Sequence, residues 1–580
     1  MKSKQVGQEL IWILLISILT IIPFLGLQEY NTKGEPREAI VAYSMLHENN
    51  WILPTNNGGD IAYKPPLFHW CIVAVSSVTG EVTEFTSRFP SAIALIVMVA
   101  CGFVFYARRK NKEVALVAAL LTLTAFEVHR AGFACRVDML LTAFVVGALY
   151  LFYKWIEKDC KGIPLGAILC MSAATLTKGP VGIILPCFVI GVFLLLRGIY
   201  RFKPYLLLFV FAILACIIPA CWYIAAYKEA GQAFINLIMD ENFRRFTGKM
   251  SYDSHVNPFY YNFFTLIAGW LPWTLFVVVS LFFLKWKSAS NYFTRPGSWF
   301  SSILMKARHA DPVQLFTWLS FLLILFFYCI PKSKRSVYLL PAYPFMAVLI
   351  AEYLIYMWKV SVKPFRISGI FFGILAILLP ILFICIKCGS VPTTIFHGKH
   401  AWESILLIQG LENIHLSFLN LFFIFLPLVI GVYTVVQIGK RRNASFVALF
   451  ACIFSLYLTL DAVYLPAMLN TKSDKPFAEY IEKNVTKGNV YSYLSSDMLR
   501  FFMTDFYMGD KVRLFERDLP QEGWLIVGDK DKNEFFRKAY TKNYRFTPMM
   551  HTVRPRADVG QVVRFYKFVR LKAINSDVPR

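Results

Sequence analysis

Apolar and polar stretches alternate along most of the chain, and this alternation is typical of a protein that crosses a membrane many times. Apolar runs of roughly 20 residues recur, and each is long enough to cross a hydrocarbon core of about 30 Å as an α-helix. The pattern predicts about thirteen membrane-spanning helices. They fall at residues 10–27, 89–107, 113–127, 137–153, 163–176, 180–196, 204–226, 259–284, 313–330, 336–357, 367–387, 416–437 and 445–464.

The hydrophobic pattern ends near Pro466, and the remainder of the chain is rich in charged residues. Helix-like and strand-like segments are interspersed there, which favours a small mixed domain. The sequence therefore predicts an all-α polytopic membrane domain over residues 1–466 and a small C-terminal α/β domain outside the membrane over residues 467–580. The helix-like segments are 475–484, 496–508 and 533–540, and the strand-like segments are 490–494, 512–515, 524–527 and 562–569.

Charge gives the orientation. The formal net charge of +24 would suggest a nucleic-acid partner in a water-soluble chain. Here the Lys and Arg residues collect in every second loop, as the positive-inside rule requires of cytoplasmic loops, so we expect no nucleic-acid partner. The N-terminus is then cytoplasmic, and the C-terminal domain lies outside. The two longest outside loops are predicted at about 29–88 and 227–258.

Several short outside loops nevertheless carry cations, which the positive-inside rule does not explain. Such side chains can simply extend to lipid headgroups. As a set, close to the acidic first loop, they favour a pocket for an anion, and phosphate fits best. The set comprises Arg130, Arg136, Lys178, Lys332, Lys334 and Arg335.

Three carboxylates are candidates for catalysis at this outer face: Glu35, Glu38 and Asp138. Glu35 precedes Pro36, so its backbone is held extended and its side chain can be presented to a substrate. Alternatively, Glu35 is an acidic residue that stabilises the start of the next helix. Asp138 begins an apolar segment, where Arg136 is a natural partner for either a structural or a functional role.

Other polar residues of the outer face are less specific. Lys64 precedes two prolines, and Lys178 precedes a Gly-Pro pair at a predicted helix start. His255 is able to bind a metal, to orient a phosphate, or only to lie at the membrane interface. The twelve cysteines lie mostly in apolar segments, where they act as small hydrophobic residues.

The order of these motifs resembles the aminoarabinose transferase branch of the GT-C glycosyltransferases, which is related to the protein O-mannosyltransferases. The resemblance covers the whole membrane part and is weaker over the tail. The motifs are Glu35-Pro36-Arg37-Glu38, Lys64-Pro65-Pro66, Arg136-Val137-Asp138, Lys178-Gly179-Pro180, His255 with Pro258-Phe259-Tyr260, Leu271-Pro272-Trp273, and Lys334-Arg335 with Tyr338.

The resemblance implies a bacterial inner-membrane enzyme that moves a sugar, such as 4-amino-4-deoxy-L-arabinose or a hexose, from a polyprenyl phosphate to a periplasmic acceptor. The acceptor is lipid A in one branch and a protein Ser or Thr in the other. The phosphates of donor and acceptor would bind the cations, and aromatic residues with His255 would line the cavity. The cations are Arg37, Lys64, Arg136, Lys178, Lys334 and Arg335, and the lining residues are Tyr63, His255, Tyr260 and Tyr338.

Two positions depart from the family pattern. Gly34 stands where the family usually has the Asp of its Asp-Glu-x-Arg-Tyr motif, so Glu35 is the substitute candidate for the catalytic carboxylate. Tyr63 stands where the family has a Glu that helps to bind a divalent metal, so no metal site is carried over, although His255 remains a possible ligand.

Two other classes of function stay open at this point. A transporter or flippase of lipid-linked sugars usually shows internal repeats and interrupted helices at mid-membrane, whereas the charges here gather at one face. A non-enzymatic envelope assembly protein would use the C-terminal domain as its working part.

Overall fold

The computed structural model describes residues 2–571 apart from 58, 63, 245–246, 248–254, 285–307, 399–400, 441, 486–488, 497–498 and 553. Apolar helices make up most of the chain, and one mixed β-sheet follows them. The first part contains helices α1 (Lys2–Ile21), α2 (Gly34–Glu48), α3 (Leu67–Thr79), α4 (Glu84–Arg109), α5 (Lys112–Thr124), α6 (Phe126–Gly132), α7 (Val137–Ile156), α8 (Leu165–Lys178), α9 (Val181–Leu196) and α10 (Phe202–Ile238).

The helices that follow up to the tail are α11 (Tyr261–Gly269), α12 (Trp273–Leu281), α13 (Pro312–Cys329), α14 (Tyr343–Val360), α15 (Lys363–Lys387), α16 (Ala401–Glu412), α17 (Phe418–Lys440), α18 (Arg442–Thr459) and α19 (Leu465–Leu469). A short 3-10 helix, Ser336–Ala342, leads into α14. Local polar residues set several starts: Asn111 accepts the Val114 N–H at the start of α5, and Asp311 accepts the Gln314 N–H ahead of α13.

Within the described residues, nine helices are long and apolar enough to span a membrane, and up to eleven if each of two bent pairs counts as one span. The bent pairs are α5 with α6, at 68°, and α11 with α12, at 99°. The remaining two of the predicted segments correspond to α8 and α9. Helix α8 has 14 residues, so it reaches only about 21 Å and falls short of a full span.

The tail contains a five-stranded sheet in the order β4–β3–β5–β7–β6, where β3 is parallel to both its neighbours and the other pairs are antiparallel. Helices cover both faces, which gives two small apolar cores. The strands are β3 (Val490–Tyr493), β4 (Val512–Leu514), β5 (Glu522–Gly528), β6 (Tyr544–His551) and β7 (Val563–Arg570), and the helices are α20 (Lys475–Asn484), α21 (Phe502–Tyr507), α22 (Phe515–Asp518) and α23 (Asp529–Arg537).

The tail lies on the first outside loop. That loop contains α2, a short hairpin of β1 (Thr55–Asn56) and β2 (Asp60–Ile61), and α3. Helix α21 packs on α2. The Tyr507 hydroxyl accepts the Tyr30 N–H at 2.9 Å and donates to Glu84 at 2.8 Å, and Arg500 pairs with Asp60 at 2.8 Å. The tail therefore braces the helix on which the first acidic motif lies.

Candidate active site

Five chain segments meet at one end of the helix bundle and bring most of the predicted site residues together. They are the start of α2, the turn before α3, the start of α7, the end of α8, and the 3-10 helix before α14. The residues that are in contact there or interact electrostatically are Glu35, Arg37, Glu38, Lys64, Arg136, Asp138, Lys178, Arg335 and Tyr338.

Glu38 is the most heavily engaged carboxylate of this cluster and is only 3% exposed. Its Oε1 accepts hydrogen bonds from Lys64 Nζ at 2.6 Å and Arg37 Nη2 at 3.2 Å, and its Oε2 lies 3.1 Å from His69 Nε2. Burial raises the pKa of Glu38, but the Lys64 ammonium and the His69 hydrogen bond outweigh it and hold the pKa well below its usual range. Glu38 is thus a fixed negative charge between two cations.

Lys64 is placed by the proline pair that follows it, since Pro65 and Pro66 precede α3 and keep the chain from continuing as a helix before it. Burial lowers the pKa of the Lys64 ammonium, and the adjacent Glu38 carboxylate opposes that effect. Lys64 also interacts electrostatically with Asp138. The first loop and α7 are therefore electrically coupled through this lysine.

Glu35 occupies a different environment from Glu38, although it lies less than one helical turn away. Its carboxylate accepts hydrogen bonds from Arg88 Nε at 2.9 Å, Arg88 Nη2 at 3.2 Å and the Cys135 N–H at 2.9 Å. Burial raises the pKa of Glu35, but the Arg88 guanidinium outweighs burial and lowers it. Arg88 also donates to the carbonyls of Leu25 and Gln28. The pair ties the ends of α1, α2 and α4 together.

Sequence patterns did not single out Arg88 or His69. A cation near the start of a long apolar helix was a usable signal for Arg88, because a charge there is costly without a partner. His69 had no comparable signal, since its partner Glu38 lies 31 residues away in the chain.

Gly34 leaves room for Arg136. A Cβ atom added at Gly34 would collide with the Arg136 guanidinium, so this guanidinium lies directly against the backbone at the start of α2. Any larger residue at this position would displace the guanidinium.

Arg136 and Arg335 are electrostatic neighbours whose guanidinium groups donate no hydrogen bond and form no ion pair within the part of the chain that the structure describes. Burial and the charge of Arg335 lower the pKa of Arg136, while Asp138 and Glu35 act in the opposite direction. Two neighbouring like charges with unused donors have the chemistry to bind an anion.

Asp138 pairs with Lys178 instead of with Arg136, the partner suggested by sequence proximity. Arg136 is in extended backbone just before α7, and its guanidinium turns towards Gly34. The Lys178 ammonium also lies 4.2 Å from the centre of the Tyr338 ring. Asp138, Lys178 and Tyr338 thus form the wall of the cluster opposite α2.

Three other predicted residues lie away from this cluster, and a fourth is outside the part of the chain that the structure describes. Lys334 is 4% exposed and donates to the carbonyls of Asn257 at 3.0 Å and Pro331 at 2.6 Å, so it fixes the loop before Tyr338. His255 is exposed on the segment before α11 that pairs with this loop, and its carbonyl accepts the Lys334 N–H. Tyr260 is 53% exposed. Tyr63 lies outside the described residues. No group of three or more His, Cys, Asp or Glu side chains among the described residues is arranged to hold a metal ion.

An apolar groove of about 890 Å³ runs along the bundle next to this cluster. Its walls come mainly from α1, α3, α4 and α7. At one end it is lined by Phe89 and Leu140, which are close in the chain to Arg88 and Asp138, and at the other by Arg108, Arg109 and Lys154. The groove therefore follows the length of α4, and its end at Phe89 and Leu140 is the one nearer to the charged cluster.

Comparison with known proteins gives consistent matches. Residues 63–223 match the family model described as dolichyl-phosphate-mannose-protein mannosyltransferase. The undecaprenyl phosphate-alpha-4-amino-4-deoxy-L-arabinose arabinosyl transferase of Shewanella sediminis is 26% identical over 398 residues, which are 66% of this chain and 67% of that protein. The second such transferase of Proteus mirabilis is 27% identical over 358 residues, which are 59% of each chain.

The fold has a close counterpart among solved structures. ArnT from Cupriavidus metallidurans matches with a TM-score of 0.69 in the apo state and 0.68 bound to undecaprenyl phosphate, at 15% identity, over 96% of this chain and 97% of that one. At this identity the likeness concerns the fold alone. It confirms the predicted fold class, a polytopic α-helical membrane protein of GT-C type with a small C-terminal α/β part.

Proposed function

We propose that this chain, which belongs to the GT-C glycosyltransferases of the aminoarabinose transferase and protein O-mannosyltransferase group, transfers a sugar from an undecaprenyl-phosphate-linked donor to lipid A. The resemblance inferred from the sequence motifs is confirmed by the family and sequence matches. The donor, the acceptor and the residue roles below are our proposal.

One observation carries the proposal: the guanidinium groups of Arg136 and Arg335, which have no partner among the described residues, lie beside three buried carboxylate–cation pairs near one end of an apolar groove. A polyprenyl phosphate has the complementary chemistry, with a long apolar chain for the groove and a phosphate for the cations. A flippase of lipid-linked sugars would bind the same lipid, so the transfer assay below is what separates the two functions.

The residues of the cluster have distinct roles in this scheme. Arg136, Arg335 and Lys64 hold the donor phosphate, which leaves with the electron pair of the broken sugar–phosphate bond. An acceptor oxygen forms the new bond to the same sugar carbon. When the acceptor is a lipid A phosphate, it is already ionised and nucleophilic, so the enzyme mainly brings the two reactants together.

The carboxylates divide into two kinds. Glu38 and Asp138 hold Lys64 and Lys178 at the site and stabilise the positive charge that develops on the sugar. Glu35 holds α2 in place through Arg88 and does not reach the substrate. This division moves the central carboxylate from Glu35, the first candidate from the sequence, to Glu38.

The site lies at the outer, periplasmic end of the bundle in this proposal, in a bacterial inner membrane. The N-terminus is cytoplasmic and the tail is periplasmic. The support is the charge pattern: Arg108, Arg109 and Lys154 lie at the opposite end of the groove, where cytoplasmic cations collect.

A transfer assay tests the function. The purified protein in proteoliposomes, given undecaprenyl-phosphate-linked 4-amino-4-deoxy-L-arabinose and lipid A, is expected to produce lipid A heavier by one sugar in mass spectrometry. A parallel reaction with envelope proteins tests a protein acceptor, which the mannosyltransferase family match makes the second candidate. Transport of the lipid-linked sugar with no product in either reaction would contradict the proposal.

A further inference from the structure

We propose that His69 is a positioning residue of the site, which fixes Glu38 so that Glu38 in turn holds Lys64 at the donor phosphate. This proposal rests on the proposed function, because it assigns the role of Lys64 from the donor. His69 itself does not touch the donor: it lies in the first turn of α3, is only 1% exposed, and packs beside Phe68.

The hydrogen bonds of the His69 ring are unequal. Nε2 lies 3.1 Å from Glu38 Oε2, whereas Nδ1 is buried and has no hydrogen-bond partner within the described residues. An ionised carboxylate only accepts hydrogen bonds, so Nε2 carries a proton and donates it to Glu38. Nδ1 is then left as a buried polar atom without a hydrogen-bond partner among the described residues.

A buried polar atom without a partner costs free energy. A residue that only filled space between α2 and α3 would avoid this cost if it were Leu or Phe, which are fully apolar. A histidine here leaves Nδ1 unpaired, which costs free energy, but its Nε2 forms a hydrogen bond to Glu38 that an apolar side chain cannot form. This points to the Nε2 bond as the reason for a histidine here.

The bond controls the orientation of the Glu38 carboxylate. Oε1 accepts from both Lys64 and Arg37, and His69 holds Oε2. The last torsion of a glutamate side chain is broad, so a carboxylate held on one oxygen only can rotate. Without His69, Glu38 rotates and the Lys64 ammonium loses its fixed position.

Two substitutions separate the ring nitrogens. In His69→Gln the amide nitrogen lies near the former Nε2 and can still donate to Glu38, whereas in His69→Asn the shorter amide lies near the former Nδ1 and cannot. We expect His69→Asn to raise the KM for the undecaprenyl-phosphate-linked donor about tenfold or more, as the loss of a charge-assisted hydrogen bond would. The kcat should change less than KM, and His69→Gln should stay close to wild type. His47→Asn, an exposed histidine of α2, is the matched control.

A double-mutant cycle distinguishes positioning from a general effect on folding. If His69 acts through Glu38, His69→Asn adds nothing further to KM in a Glu38→Gln background. Size-exclusion profiles and melting curves in detergent establish which variants fold. Should His69→Asn fail to fold alone, the comparison of Glu38→Gln with Glu38→Gln/His69→Asn carries the test, and the proposal requires equal KM values there.

The outcomes also separate this proposal from the proposed function. An inactive wild-type enzyme that binds no undecaprenyl phosphate overturns the function. An active wild type with unchanged KM in folded His69→Asn, or with equal losses in the Asn and Gln variants, overturns the role of His69 alone. Additive effects of His69→Asn and Glu38→Gln also overturn it.

Discussion

At the scale of single residues, the candidate site consists of charges that are paired with one exception. Glu35 with Arg88, Glu38 with Lys64, and Asp138 with Lys178 are buried ion pairs. A buried pair adds little net stability, but removing one partner leaves an uncompensated charge and is strongly destabilising. Arg136 and Arg335 are the exception among the described residues, and in our proposal their unused donors bind the donor phosphate.

The Glu35–Arg88 pair should therefore affect stability before it affects chemistry. Replacing Arg88 with Met leaves Glu35 buried without its partner and should lower the free energy of unfolding by about 3–5 kcal/mol. Denaturant or thermal unfolding in detergent measures this loss. Lys161→Ala removes the exposed pair with Asp159 and should leave unfolding unchanged. An Arg88→Met protein as stable as wild type would show that the pair does not hold α2.

The two free guanidinium groups should determine donor affinity. Arg136→Gln and Arg335→Gln each remove charge-assisted hydrogen bonds to phosphate, worth about 1.5–3 kcal/mol, so the donor KM should rise roughly 10- to 100-fold. Arg366→Gln, at the start of α15 on the basic loop side, is the control. Steady-state kinetics at two salt concentrations checks the change, and an unchanged KM in both variants would exclude an anion site here.

At the scale of elements, the start of α2 and the groove beside α4 and α7 decide how the site is formed. Gly34 lets Arg136 lie against the first turn of α2, so the helix start and the segment before α7 interlock. In our proposal α4 and α7 also bind the lipid chain of the donor, because their facing sides leave an apolar groove.

Gly34→Ala should weaken donor binding in the same way as a substitution of Arg136 itself. The added methyl group displaces the guanidinium, so donor KM should rise at least several-fold while the helix itself tolerates alanine. In an Arg136→Gln background the same change should have a much smaller effect. Gly191→Ala, in α9, is the control because its Cβ would meet open space. Equal effects in both backgrounds would refute the interlock.

Filling the groove should discriminate donors by chain length. Ala143→Phe places a ring in the groove, so turnover of an undecaprenyl donor should fall about tenfold, whereas a donor with a two-isoprenoid chain should be much less affected. The control is Ile374→Phe on the exposed side of α15. Competition assays with both donors give the ratio, and an unchanged preference would show that the chain lies elsewhere.

At the scale of the whole molecule, the tail and the membrane bundle meet at α2. Behind this contact lie buried carboxyl groups: Asp505 and Asp510 interact with each other, and Asp510 accepts the Asn57 N–H at 2.8 Å. Burial raises the pKa of Asp505 well above its usual range, and Asp510 adds to this effect. Burial likewise raises the pKa of Asp474, to about 6.

These shifts predict that the tail loses stability as pH rises. An acid whose pKa is raised by folding holds a proton in the folded state that the unfolded chain has released, so its stabilisation is greatest at low pH and is lost as pH rises. For Asp474 that loss falls between about pH 4 and 6. We expect a higher melting temperature at pH 5 than at pH 7.5.

The Asp505→Asn variant should reduce this difference between the two pH values, and the exposed Asp518→Asn should not. Folding lowers the pKa values of Glu35 and Glu38, so these two groups lose their stabilising effect as the pH falls. That loss occurs below the range from pH 5 to pH 7.5 and does not change the comparison. A protein that melts at equal temperatures at both pH values would contradict the role of the buried carboxyl groups.

Much of this architecture could be predicted from the sequence. Periodicity gave the helices of the bundle and four of the five tail strands, and motif order gave the family. Strand β6 was missed because much of it is exposed and it contains Pro548, which weakens a strand pattern. The short helices α8 and α9 were counted as full spans because hydropathy alone does not measure helix length.

The pairing of the site residues could not be predicted in the same way. Glu38 with His69 and Asp138 with Lys178 join residues 31 and 40 positions apart, and only the packed bundle brings them together. The local sequence favoured Glu35 as the catalytic carboxylate because Pro36 follows it. In the structure, however, Glu35 is buried and accepts two hydrogen bonds from Arg88, as a structural ion pair does.

The most direct test compares wild-type protein with the Arg136→Gln/Arg335→Gln double variant in proteoliposomes that contain the undecaprenyl-phosphate-linked sugar and lipid A. Mass spectrometry of the recovered lipid A reports transfer. We expect lipid A heavier by one sugar with the wild type, and a loss of at least a hundredfold in rate with the folded double variant. Unmodified lipid A with the wild type, or equal rates for both proteins, would contradict a glycosyltransferase that holds its donor phosphate between these two arginines.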